Sequence, residues 1–181
     1  MRSRCRLLRE TALIAQIAQI AFLVSFFTPS LLADERVNSD AVIEGRLQSL
    51  VENLKSRMQI TPAVAVTIVP SNALMMSVEA PTDPKKAFTL SIDANFLGTL
   101  SHDELEAAIA HELGHVWIFT HHPYLQTEEL ANQIAMRVVT RTSLEHLYAK
   151  VWERGGTKGD LARFLGEAPP AAAGLATDST R

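Results

Sequence analysis

Residues 101–117 read SHDELEAAIAHELGHVW. The opening Ser101-His102-Asp103-Glu104 has the S-x-x-E form of a capping box. In such a box a serine hydroxyl and a glutamate carboxylate each satisfy a free backbone N–H at a helix start. The pattern predicts a helix from there to about Thr120, broken by Pro123. On that helix His111 and His115 share a face, about 40° apart at roughly 100° per residue. Leu105, Ile109, Leu113, Val116 and Trp117 fall on the other side, between about 120° and 240° from His111. The helix therefore has a core face and, separate from it, a face bearing imidazoles.

His111-Glu112-Leu113-Gly114-His115 is an H-E-x-x-H motif. Two neutral imidazoles one turn apart can grip a single zinc ion. Glu112, one position on from His111, can reach a water beside that ion without ligating it, and so serve as general base. Gly114 costs about 1 kcal/mol of helix propensity relative to Ala; its missing side chain lets another segment come close. A catalytic zinc takes three protein ligands plus water, so one more donor is needed.

The single cysteine, Cys5, lies in a segment expected to be removed, so His and carboxylates must supply it. Glu128 and Glu129 follow His115 by 13 and 14 residues. A second helix starting at Thr127 and running antiparallel from a turn near His121-His122 brings Glu128 level with His115. Asn132 then shares the face of Glu128, placed to hydrogen-bond a ligand histidine and fix its tautomer. Glu129 points about 100° away. Ala131 and Ala135 leave room for close approach. This helix is expected to reach at least Val139. His121 and His122 read as a solvated helix end, where cationic side chains suit the dipole.

Around this pair of helices the chain reads as α+β. Ile43, Leu47, Leu50, Val51, Leu54 and Met58 recur at helical spacing within 38–58, with Asn38 or Ser39 as cap. Residues 63–69 (AVAVTIV) suit a strand covered on both faces. Residues 74–79 suit a second strand, and 88–93 alternate as a strand with one dry face. Three short strands with tight loops predict a small antiparallel sheet packed on the histidine helix. Gly155-Gly156 and Gly159 mark a loop, and Asp160–Leu165 a last turn or two of helix.

The N-terminal segment has Arg2, Arg4, Arg6 and Arg9, an apolar run from Thr11 to Phe27, and a small residue at Ala33. That is the form of a secretory signal peptide, 1–33, with a retained membrane anchor as the alternative. Its removal takes the net charge from −3 to −6, leaving no electrostatic footprint for nucleic acid. The expected organisation is one domain over 34–166 and a disordered tail over 167–181. The expected location is the periplasm or the exterior, with membrane attachment only if the first segment stays.

The sheet, the helix DELEAAIAHELGHVW and the later EELAN together resemble the gluzincin metallopeptidases. The resemblance is to the group containing the prenyl-protein (CAAX) endopeptidases, the bacterial membrane heat-shock protease and the periplasmic quality-control proteases. It covers roughly Phe88 to Val139, in a minimal form with a short interval between His115 and Glu128. It implies a zincin-like fold, one zinc ion per chain, His111, His115 and Glu128 as ligands and Glu112 as the catalytic residue. Asn132 stands where the family pattern has Asp. The family also uses a downstream His, Arg or Tyr to stabilise the oxyanion, which makes Arg141, His146 and Tyr148 candidates.

Two functions fit. One is an exported metalloendopeptidase acting on protein or peptide substrates bound by strand addition between Leu74 and Asp93. The other is an inactive, zinc-stabilised envelope binding module with the fourth position closed, by His121 or His122.

Overall fold

The computed structural model describes residues 41–167. The expected signal segment, the cap at Asn38 or Ser39 and the tail beyond Glu167 lie outside the described residues. Helix α1 (41–58) buries Leu47, Val51, Leu54 and Met58 at the expected spacing. The strands follow as β1 (Val64–Val69), β2 (Met76–Glu79) and β3 (Phe88–Asp93). Then come α2 (Ala94–Leu97), α3 (His102–His121), α4 (Glu128–Ala135), α5 (Arg141–Gly155) and α6 (Leu161–Leu165). The class is α+β. Among the described residues no helix is long and apolar enough to cross a membrane.

The sheet departs from the expected antiparallel form. Its order is β1-β3-β2, and β1 runs parallel to β3 while β2 runs antiparallel to it. The reason lies in the 70–75 connection, which is a crossover rather than a hairpin. Asn72 fastens it across the end of β3: its amide nitrogen donates to the Ser91 carbonyl at 3.1 Å, and its backbone N–H to Asp93 Oδ2 at 3.2 Å. Asp93 N–H donates back to the Met75 carbonyl at 2.9 Å. β1 is consequently an edge strand, not one covered on both faces; Ala65 is exposed and only Val64 is buried.

An open edge carries unpaired backbone groups, and α1 meets those of β1. Gln48 donates to the Val64 carbonyl at 2.8 Å and accepts from Val66 N–H at 3.0 Å. Glu44 accepts from Ile68 N–H at 2.8 Å. The opposite edge, β2, faces the cavity described below.

The capping box of α3 is present in full, with Ser101 and Glu104 each bonded to the other's backbone. Ile109, Leu113 and Val116 are buried on its core face, and Ile118, two turns beyond His111, is buried as well. α5 is tied to both ends of this frame. Lys150 bonds Glu104 at 2.6 Å, and Arg154 bonds Asp93 at 3.0 Å. α4 stops at Ala135 instead of reaching Val139, because the chain turns there: Val138 and Val139 N–H both bond to the Ala135 carbonyl, and Thr140 caps α5.

Candidate metal centre

The site depends on how closely α3 and α4 pack. A Cβ on Gly114 would lie 2.5 Å from the Ala131 carbonyl oxygen, so only glycine permits this crossing. Thr127 caps α4 through its hydroxyl, which accepts from Leu130 N–H at 3.2 Å. That fixes Glu128 as the first helical residue, where a carboxylate suits the dipole. Glu128 therefore stands opposite the histidine face of α3.

The three side chains meet. His111 Nε2 lies 3.1 Å from Glu128 Oε2, and His115 Nε2 lies 3.5 Å from Glu128 Oε1. The two Nε2 atoms are 3.3 Å apart. A tetrahedral zinc with bonds of about 2.0–2.1 Å has ligand atoms about 3.3–3.4 Å apart. The observed separations bracket that edge, although the two histidines face different oxygens of Glu128. Two imidazoles and a carboxylate are also a donor set proper to zinc. The residues fit the ion. Among the described residues this is the one group of three or more such side chains placed to hold a metal.

The far side of each imidazole is engaged, which turns Nε2 towards the cluster. His111 Nδ1 lies 2.8 Å from Asn132 Oδ1. The orientation of this fully buried amide is fixed by the Phe164 carbonyl, which can only accept and receives Asn132 Nδ2 at 2.9 Å. Oδ1 then faces His111, so Nδ1 must donate and Nε2 keeps its lone pair. Asn132 Nδ2 donates a second time, to the Tyr148 oxygen at 2.7 Å. An Asp here would lack both donors, which accounts for the amide.

His115 is held by Gln126, which the sequence reading did not single out. His115 Nδ1 donates to Gln126 Oε1 at 3.1 Å, and Gln126 Nε2 donates to the His115 carbonyl at 3.3 Å. The only sequence signal was an amide two positions before Glu128, uninterpretable until the turn is known.

Electrostatics follow from this crowding. When the two imidazoles carry a second proton, their Nε2–H groups donate to Glu128 and hold its carboxyl well below the usual carboxylate range. Burial works against a charged His115, but hydrogen bonds to Glu128 and Gln126 prevail and raise its pKa. Burial pushes the Glu112 carboxyl up, with the two histidines pulling the other way. Burial likewise pushes the Tyr148 hydroxyl up to about 12, so it stays a proton donor.

All of these groups border one cavity of about 640 Å³. His111, Glu112, His115, Glu128 and Tyr148 share it with apolar side chains such as Met76, Leu147 and Trp152. Of the three oxyanion candidates, the structure brings only Tyr148 there. His146 is exposed on α5 and does not line the cavity. Arg141 is turned to Glu145 and to backbone carbonyls at the C-terminal end of α6. His121 stacks on Trp117, with ring centroids 4.2 Å apart, outside the cluster.

No protein-family model matches the sequence, and no curated protein matches it either. Among solved structures, the metallopeptidase zymogen of Pyrococcus abyssi abylysin aligns with a TM-score of 0.45 and 16% identity. The alignment covers 63% of this chain and 99% of that one. The likeness is loose.

Proposed function

We propose that the chain is an exported zinc metalloendopeptidase that hydrolyses peptide bonds of proteins or peptides. The observation that carries this is the convergence of His111, His115 and Glu128, whose ligand atoms lie within 4.8 Å of one another, beside a cavity that Glu112 also lines. When bound there, zinc supplies Lewis acidity, which polarises a carbonyl and makes water a nucleophile near neutral pH.

The chain's own residues supply the remainder. Glu112 takes a proton from the attacking water and passes it to the leaving amine as the C–N bond breaks. Its burial favours the protonated form, which suits the second half of that task. The Tyr148 oxygen already accepts from Asn132, so its own hydrogen is free to donate to the developing oxyanion. β2 is the sheet edge at the cavity, and an extended substrate would pair with it, main chain to main chain. Against the binding-module reading, no fourth His, Cys, Asp or Glu of the described residues joins the cluster.

The test is a hydrolysis assay on an unfolded polypeptide with metal removed and restored. Chelation should abolish cleavage and zinc should restore it, while Tyr148→Phe should lower kcat by about 100-fold with little change in KM. A zinc-loaded protein that cuts nothing would leave the binding module standing.

A further inference from the structure

Arg141 was a candidate for direct work at the reaction centre, and the structure gives it a different task. Its guanidinium is aimed by Glu145, which accepts from Nε at 2.8 Å. The two terminal nitrogens then grip the chain leaving α6. Nη1 donates to the Leu165 carbonyl at 2.9 Å and Nη2 to the Gly166 carbonyl at 2.8 Å. Nη1 also reaches the Glu167 carbonyl at 3.5 Å. Gly166 has φ 74° and ψ 173°, a region open essentially to glycine alone. That conformation is how successive carbonyls come to face one planar fork.

The residue just before this clamp is Phe164. Its carbonyl accepts from Asn132, and Asn132 in turn orients His111. Its ring packs on Tyr148 and Trp152, at centroid distances of 5.3 and 6.0 Å. Tyr148 lies seven residues after Arg141, two turns along the same face of α5. α5 thus holds α6 at two points, and α6 completes the surroundings of Asn132.

We infer that Arg141 is a positioning residue for the metal ligand His111, acting through α6 and Asn132. The inference rests on the metal site proposed above. A ligand histidine whose outer partner is lost typically binds metal about 10–100-fold more weakly. The Phe164 carbonyl is what keeps Asn132 from rotating its amide, and Arg141 anchors the backbone that directly follows Phe164, through the carbonyls of Leu165 and Gly166. A purely structural arginine would lower the unfolding midpoint and leave the zinc affinity of the folded protein unchanged.

The experiment is a chelator-competition titration of zinc on the full chain. It compares wild type, Arg141→Ala, Asn132→Ala and the double variant. Each single change should weaken zinc binding by about 10–100-fold, and the double variant should bind no more weakly than Asn132→Ala alone. Arg141→Lys keeps the charge but cannot span several carbonyls, so it should recover only part of the affinity. Gly166→Val reaches the same clamp from the other side without touching α5. It should reproduce the loss, and it decides the matter if Arg141→Ala does not fold. Unchanged affinity in Arg141→Ala or Gly166→Val overturns the inference, as do losses that multiply in the double variant. If wild type itself binds no zinc, the metal site falls and this role with it; that outcome is distinct from the other two.

Discussion

Glu112→Gln is expected to retain zinc and to lose peptide hydrolysis by about 10²- to 10⁴-fold, the usual worth of a positioned general base. The amide has the shape of the carboxylic acid, so packing in this buried position is kept. Glu112 is not a member of the His111, His115 and Glu128 group, so the ligand set is intact. Burial already disfavours the charged carboxylate, so a neutral amide adds no new desolvation cost. What the substitution removes is the ability to take a proton from water and return it to the amine. Zinc affinity and hydrolysis measured on the same preparation separate the two properties. Full activity in the glutamine variant would refute the role given to Glu112. Loss of zinc together with activity would mean that Glu112 helps to hold the ion.

Gly114→Ala should destabilise the protein by roughly 1–3 kcal/mol and weaken zinc binding at least about tenfold. Helix propensity alone says the opposite, since Ala exceeds Gly by about 1 kcal/mol in a helix interior. Sterics decide the sign. The added Cβ would meet the Ala131 carbonyl oxygen at 2.5 Å, its Cα at 3.0 Å and its carbonyl carbon at 3.1 Å. These are backbone atoms, so no side chain can swing aside and α4 itself must move. Glu128 is on the first turn of α4, three residues before Ala131, and moves with it. Denaturant unfolding of the chelated protein reads the packing cost, and chelator competition reads the displacement of Glu128. A more stable variant with unaltered zinc affinity would contradict the close crossing.

The parts of this molecule that were legible in sequence share a physical feature: local periodicity with few alternatives. The histidine helix announces itself by a capping box and a two-faced pattern, and the structure places it at His102–His121. Glu128 and Asn132 followed from the symmetry of a helical hairpin, and Gly114 from its cost in a helix. The sheet was less legible because strand direction is set by long-range pairing. Nothing local in Pro70-Ser71-Asn72 distinguishes a hairpin turn from the crossover that makes β1 and β3 parallel. The run at 63–69 is apolar enough for a central strand, yet lies at an edge shielded by Gln48 and Glu44.

α5 was missed although it carried a signal. Thr140 as cap, then Leu144, Leu147, Tyr148 and Val151 at helical spacing, marks a helix. Reading α4 through to Val139 obscured its start. The roles of Gln126 and Arg141 could not be read from sequence. Each depends on which carbonyl or imidazole the fold brings within 3 Å or so, and no spacing rule encodes that.

We propose that two imidazoles and a carboxylate from a tight helical hairpin hold one metal ion with a coordination position left open. X-ray absorption on the zinc-loaded protein, with zinc counted per chain, tests it most directly. The expected result is one ion per chain, bound by two imidazoles and one carboxylate at about 2.0–2.2 Å with a water completing the shell, and loss of the ion in His111→Ala. A chain that retains no zinc, or an ion enclosed by four protein side chains, would contradict it.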